Sequence, residues 1–151
     1  MGRDGAPAWG CKAVIDTNVL IDFLDSGRPE HQTAVDLLAA LIDSGADVCL
    51  PASALTDVYD VVRRTAGDLT ARRAVATLVE TVTVLTVDAE ICRTALASDE
   101  PDFEDGVVRA CAESIGAHWL VTRDQAAFAH STAPPTSPGE LLARLSVQSC
   151  H

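Results

Sequence analysis

The sequence predicts an α/β fold in which helices cover both faces of a mainly parallel β-sheet. Short apolar runs alternate along the chain with longer segments whose apolar residues recur every three or four positions, which is the spacing of an amphipathic helix. The short runs are apolar along nearly their whole length, as expected of strands that are buried on both faces. The alternation of elements and the unbroken hydrophobicity of the strands therefore indicate a covered parallel sheet.

The first half of the chain opens with a strand and a helix in direct succession. The predicted elements are a strand at 12–16, helices at 18–25 and from Pro29 to Gly45, a strand at 47–51, and helices at 53–66 and 69–80. Pro29 suits the first turn of its helix, because the N–H that proline lacks would have no helical partner there. Gly45 suits the end of the same helix, because glycine tolerates the left-handed backbone of a helix terminus.

The second half of the chain continues the alternation. The predicted elements are a strand at 83–87, helices at 88–98 and 102–115, a strand at 118–122, a short helix at 124–129, a loop at 131–138 and a last helix at 139–145. A chain of 151 residues has the size of one domain with a sizeable core. We therefore expect a single domain over 12–145, with loose termini at 1–11 and 146–151.

Composition and cysteine usage narrow the class of protein. Hydrophobic residues make up 48% of the chain, which indicates a globular protein rather than a disordered one. No apolar run approaches the ~20 residues of a membrane span, and the N-terminus lacks the apolar segment of a secretory signal, so we expect a cytoplasmic protein. The 5 cysteines are odd in number, widely spaced and without a CxxC motif. This pattern argues against a disulfide framework and against a zinc site.

Acidic residues fall where the predicted fold gathers the ends of strands and the starts of helices. Asp16 ends the first strand, and Asp124 directly follows the fourth. Asp105 lies in the first turn of a helix, and Asp57 lies in the helix after the second strand. Ligands of open α/β sheets bind beyond the carboxyl ends of the strands. These four acids are therefore candidates to surround one crevice.

Four carboxylates around one point would repel each other and raise each other's pKa values, and a divalent cation removes that penalty. Mg²⁺ prefers oxygen ligands and is typically held by one or two carboxylates with substrate phosphate, and it can activate water against a phosphodiester. Each acid also has an ordinary alternative. Asp16 could be a helix N-cap, and Asp124 could be a cap or turn residue. Asp105 could favour the helix dipole, and Asp57 could be a solvated helix acid. Asp60 competes with Asp57 on a nearby face.

The net charge of −11 sets a condition on any role with nucleic acid, because most of the surface repels phosphate. Binding would need a local group of arginines or metal ions. Arg63, Arg64 and Arg123 lie near the predicted crevice in sequence and are the candidates, with solvated helix faces as their alternative. The remaining nearby acids are expected on solvated faces or at caps, close enough for supporting roles: Asp22, Asp102 and Glu104.

Three segments and a short closing motif together resemble the PIN domain, the nuclease fold of bacterial VapC-type toxins and many RNA-processing enzymes. The matching pieces are residues 14–22, 50–64, 102–124, Phe128 and 137–142, in the family's order. The first and third segments are the most specific. The resemblance implies a Rossmann-like three-layer α/β/α sandwich with a mainly parallel five-stranded sheet. It also implies a Mg²⁺- or Mn²⁺-dependent endoribonuclease.

The resemblance assigns roles to individual residues. The four acids of the family's catalytic quartet correspond, in order, to Asp16, Asp57, Asp105 and Asp124. Of these, Asp16, Asp105 and Asp124 would hold the metal. Thr122 corresponds to a small hydroxyl residue that commonly supports the first acid, and Asn18 to the polar residue that follows it.

Two positions depart from the family's pattern. The second acid is often Glu in toxin-type members, so the shorter Asp57 would bind through water or leave its role to Asp60. Gly106 stands where the family often has Ala, although glycine in a helix costs up to ~1 kcal/mol relative to Ala. It would allow a close approach of backbone or ligand.

The resemblance also implies partners. Toxin-type members are usually homodimers, inhibited by an antitoxin whose basic segment occupies the acidic site. We therefore expect RNA as the substrate and an antitoxin as a partner in a VapBC-type pair. One alternative is a PIN-like protein-interaction module, or an RNA-processing factor, with weak or no nuclease activity. A haloacid-dehalogenase-like phosphatase is disfavoured, because that chemistry needs a second Asp where this chain has Asn18.

Overall fold

The sheet of the computed structural model, which describes residues 10–149, has five strands in the order β3-β2-β1-β4-β5. The strands are β1 (Lys12–Ile15), β2 (Asp47–Pro51), β3 (Thr83–Leu85), β4 (Trp119–Val121) and β5 (Pro135–Thr136). All four neighbouring pairs are parallel. Because β1 lies between β2 and β4, the carboxyl ends of strands from both halves of the chain meet at one edge of the sheet.

Helices cover both faces of this sheet. They are α1 (Thr17–Leu24), α2 (His31–Asp43), α3 (Ala52–Thr81), α4 (Ala89–Ala97), α5 (Phe103–Ser114), a 3₁₀ helix (Gln125–Phe128) and α6 (Pro138–Ser149). On one face, Ile15 packs with Leu37 and Leu141 from α2 and α6. On the other face, Val14 packs with Val108 of α5 and Phe128 of the 3₁₀ helix. The predicted three-layer α/β architecture is confirmed.

The fifth strand lies inside the segment 131–138, which we predicted to be a loop. β5 has two residues and pairs with the outer side of β4. The N–H groups of Leu120 and Thr122 donate to the carbonyls of Pro134 and Thr136, at 3.0 Å each. Proline lacks an N–H and is tolerated on such an edge strand. The proline-rich composition of this segment predicts a loop, although the segment contains a short strand.

The long helix α3 is broken at Gly67, where φ is 87° and ψ is 171°. The prediction of two helices, 53–66 and 69–80, therefore had the break in the right place. The hydroxyl of Tyr59, which lies before Gly67, donates to Asp68, which lies after it. Arg72 donates to the same carboxylate at 2.9 Å. The Tyr59 contact connects the two parts of α3, and the Arg72 contact lies within the second part.

Differences from the predicted boundaries are small elsewhere. β3 ends at Leu85 rather than at residue 87, and α6 extends to Ser149, beyond the predicted end at 145. Of the predicted loose termini, residues 1–9 and 150–151 lie outside the described residues. Within residues 10–149, no helix combines the length and hydrophobicity needed to cross a bilayer.

Candidate active site

Asp16 lies directly after β1, at the N-cap position of α1, and only 6% of its surface is exposed. Its backbone N–H donates to the Val121 carbonyl at 2.9 Å, which ties it to the end of β4. Its side chain makes no capping hydrogen bond to α1. Burial raises the pKa of Asp16, although the Thr122 hydroxyl, the Thr17 N–H and the Arg123 charge oppose that rise. A cap role therefore does not account for this buried carboxylate.

Thr122 joins the first and fourth acids. Its hydroxyl donates to Asp16 Oδ2 at 3.0 Å and accepts from the backbone N–H of Asp124 at 3.0 Å. Thr122 is fully buried, so water does not compete for these bonds. These contacts suit Thr122 to the supporting role that the resemblance implies for it.

Asp124 begins the 3₁₀ helix and caps it, because its Oδ1 accepts from the Ala127 N–H at 3.2 Å. Its charge nevertheless reaches the other acids, since it raises the pKa values of both Asp16 and Asp105. The Asp124 side chain thus caps the 3₁₀ helix and also influences Asp16 and Asp105 through its charge.

Asp105 lies half-buried in the first turn of α5. Its pKa is raised from 3.8 to about 6. Burial is the main cause, followed by the charges of Asp16, Asp102, Glu100 and Asp124. Asp16 and Asp124 thus influence the Asp105 carboxyl, although the three residues are far apart in sequence.

Asp57 lies on the first part of α3. Burial raises its pKa, and the charge of Asp60 adds to the rise. A cleft of about 340 Å³ is lined by Asp57 together with Thr17 and Glu104. The pKa of Glu104 is raised mainly by Asp57, then by burial, Asp102 and Asp16. Glu104 is therefore the acid that connects Asp57 to the group around Asp16.

Two of the other nearby acids have definite places. Asp102 is the N-cap of α5 and accepts from the Glu104 N–H at 2.8 Å, so the expectation of a cap is correct. Asp22 is only 1% exposed, so the expectation of a solvated or capping acid is wrong for this residue. It is paired with Arg123 Nε at 2.7 Å and Arg28 Nη1 at 3.3 Å. The sequence signal for this burial was the run of apolar residues in α1 on both sides of Asp22.

The predicted RNA-binding arginines lie in different environments. Arg123 is held by Asp22, with Glu30 at 3.8 Å, and its charge lowers the pKa of Asp16. Arg63 and Arg64 are exposed on α3, where they form no ion pair with another described residue. Asn18, in the first turn of α1, is exposed too.

The donors at this edge of the sheet suit a hard cation. Within residues 10–149, no three His, Cys, Asp or Glu side chains are grouped tightly enough to hold a metal ion by themselves. Mg²⁺, however, commonly takes only one or two carboxylates and completes its shell with water and phosphate. Asp16 and Asp105 carry raised pKa values, and a cation would offset the burial and repulsion that cause them. The donor set therefore suits a hard divalent cation.

A family model described as PIN domain matches residues 12–126. The chain belongs to the PIN domain family. The match covers most of the chain and includes all four acids of the predicted quartet. The family prediction made from the sequence is thus confirmed. No curated protein sequence matches this PIN domain.

Solved structures of toxin–antitoxin proteins share its fold. The Mycobacterium tuberculosis VapC20, a sarcin-ricin loop cleaving toxin, is similar at a TM-score of 0.66 and 21% identity, over 80% of this chain and 97% of that one. A toxin–antitoxin complex from Klebsiella pneumoniae is similar at a TM-score of 0.63 and 22% identity, over 83% of this chain and 97% of that one. DNA-bound VapBC from Salmonella typhimurium is similar at a TM-score of 0.63 and 14% identity, over 85% of this chain and 98% of that one. At these identities the similarity establishes the fold.

Proposed function

We propose that this PIN domain is a Mg²⁺- or Mn²⁺-dependent endoribonuclease that hydrolyses RNA phosphodiester bonds. The observation that supports the proposal is that Asp16 and Asp124 follow two paired parallel strands, β1 and β4, and that their charges raise the pKa of Asp105. Membership of the PIN family supports the reaction class.

The roles of the residues follow from their surroundings. Asp16, Asp105 and Asp124 would hold the divalent ion, which when bound supplies Lewis acidity and an activated water. Thr122 orients the Asp16 carboxylate through its hydroxyl. Asp57 and Glu104 line the adjacent cleft, where they would accept hydrogen bonds from water. Because Asp57 lines this cleft, it is a better candidate than Asp60 for completing the site.

The decisive experiment is substitution of the first acid. We expect Asp16→Asn to abolish metal-dependent cleavage of RNA while circular dichroism shows a retained fold. Asp43→Asn is the matched control, because Asp43 is exposed at the end of α2, and it should cleave like the wild type. Unchanged cleavage by Asp16→Asn would refute the assignment.

We also propose that the protein is the toxin of a VapBC-type pair, with an antitoxin partner in the cytoplasm, and that it forms a homodimer. One of the similar structures is a toxin–antitoxin complex by its description, and three others are described as VapBC proteins. The net charge of −11 suits a basic inhibitory segment. Expression should arrest growth, and co-expression of a neighbouring short reading frame should relieve the arrest. Relief by an unrelated basic protein would contradict a specific antitoxin.

The alternative is a protein-interaction module or RNA-processing factor with weak or no nuclease activity. The observation that favours it is the absence of a tight metal-binding group among the described residues. Calorimetry with Mn²⁺ separates the two, because a nuclease binds the ion and Asp16→Asn weakens binding. If the protein is an interaction module that has lost its metal site, neither the wild type nor Asp16→Asn should give a binding signal with Mn²⁺.

A further inference from the structure

Arg109 lies on α5, one turn after Asp105, and its side chain is only 15% exposed. It is not among the four acids or the predicted RNA-binding residues. Its guanidinium contacts four groups: Asp99 Oδ1 at 2.6 Å, Glu100 Oε1 at 3.1 Å, Glu113 Oε2 at 3.2 Å and the His130 carbonyl at 2.9 Å. No other described arginine is engaged by as many groups.

These partners come from the segments that adjoin two of the proposed metal ligands. Residues 99–100 precede α5, whose first turn carries Asp105. His130 follows the 3₁₀ helix that begins after Asp124. Glu113 strengthens the same connection, because its Oε2 also accepts from the Thr132 N–H at 2.9 Å. One guanidinium on α5 therefore joins the segment that precedes this helix to the segment that follows the 3₁₀ helix.

Glu100 makes this arrangement unusual. Its side chain is only 3% exposed, and its second oxygen, Oε2, is buried without a hydrogen-bond partner among the described residues. A buried carboxylate with one cationic partner contributes little to stability. The same charge lies close enough to influence Asp105. Arg109 holds this carboxylate beside the metal-binding edge.

We propose that Arg109 is a positioning residue for the metal site. It fixes the first turn of α5 against the 3₁₀ helix, so that Asp105 and Asp124 keep the separation at which both reach one divalent cation. Arg109 touches neither the cation nor RNA and acts through the two segments it connects. This inference rests on the proposed function.

The test is Mn²⁺ titration of the full chain by calorimetry. Arg109→Lys keeps the charge, but a single ammonium cannot replace the planar fork that reaches four partners. The double variant Glu100→Gln/Arg109→Gln removes both charges, so that no buried charge is left uncompensated. We expect both to bind Mn²⁺ about 10- to 100-fold more weakly, the usual loss for residues that support metal ligands without contacting the metal.

Two controls separate positioning from general stability. Arg144→Ala removes an exposed arginine on α6 and should bind Mn²⁺ like the wild type. Leu38→Ala destabilises the core on the opposite face of the sheet and should lower the unfolding temperature without weakening Mn²⁺ binding. Equal loss of Mn²⁺ affinity in Leu38→Ala and Arg109→Lys, at matched unfolding temperatures, would overturn the inference.

The outcomes also distinguish the inference from the function on which it rests. Wild-type protein that binds Mn²⁺, together with Arg109 variants of unchanged affinity, would overturn the role of Arg109 alone. Wild-type protein that binds no Mn²⁺ and cleaves no RNA would overturn the nuclease proposal and the positioning role with it.

Discussion

At the scale of single residues, the buried hydroxyl of Thr122 has more effect than its size suggests. It satisfies one oxygen of Asp16 and the N–H of Asp124 at the same time. We expect Thr122→Val, which has the same shape, to lower the free energy of unfolding by about 1–3 kcal/mol, because two buried polar groups lose their partner. The pKa of Asp16 should rise further, since the hydroxyl now lowers it.

Denaturant unfolding and NMR titration of the metal-free protein measure these two effects. Thr122→Ser keeps the hydroxyl and should stay close to the wild type in both. If Thr122→Val and Thr122→Ser behaved alike, the hydroxyl would not be the group that supports Asp16.

The Asp105 carboxyl gives the metal-free protein a specific pH dependence. Its pKa is about 6 in the folded chain against an ordinary 3.8, so between these values the folded state holds a proton that the unfolded state has released. The contribution of Asp105 to the free energy of unfolding should therefore decrease as pH rises from about 4 to about 6. Urea unfolding of wild type and Asp105→Asn across this range isolates the effect. Parallel stability curves would contradict the raised pKa.

At the scale of elements, Gly106 explains how α4 and α5 pack. A Cβ at this position would lie 3.0 Å from the Ala95 carbonyl oxygen and 3.2 Å from the Ala95 Cβ. Glycine in place of the alanine that the family often has therefore allows α4 and α5 to approach closely, beside Asp105. A backbone atom cannot move aside as the end of a flexible side chain can.

We expect Gly106→Ala to destabilise the protein by about 1–3 kcal/mol through overpacking, even though alanine is the better helix former. Gly139→Ala is the matched control, because nothing lies within 4 Å of its added Cβ at the start of α6. Thermal unfolding of both variants tests the contact. A Gly106→Ala protein as stable as Gly139→Ala would show that α4 adjusts freely.

At the scale of the whole molecule, the charge of −11 opposes RNA binding, so local arginines have to act against it. Arg63 and Arg64 are exposed and near Asp60 on α3, and we expect them to contact phosphates of the substrate. In Arg63→Ala/Arg64→Ala, the plot of log kcat/KM against log salt concentration should become shallower by about 1.4, because each lost contact to a single strand removes about 0.7. Arg144→Ala should keep the wild-type slope. Equal slopes in all three proteins would exclude these contacts.

Much of this molecule could be predicted from local pattern. The strands, the break near Gly67 and the positions of Asp16 and Asp124 after their strands depend on residues a few places apart. The segment 131–138 was predicted wrongly, because β5 is formed by hydrogen bonds to β4 and not by its own propensity. Asp22 was also misjudged, since its partner Arg123 is 101 residues away.

The sequence by itself determined the α/β class, the family and the acids that could hold a metal, because hydrophobic period and motif are properties of neighbouring residues. The tertiary structure decided which charges meet. The strand order brings β1 beside β4, which connects Asp16 to Asp124 through Thr122 and pairs Asp22 with Arg123. The charges of Asp16 and Asp124 also raise the pKa of Asp105, and the charges of Asp57 and Asp16 raise that of Glu104. The tertiary structure also surrounds Arg109 with four partners. Such contacts depend on distances in space that no local pattern encodes.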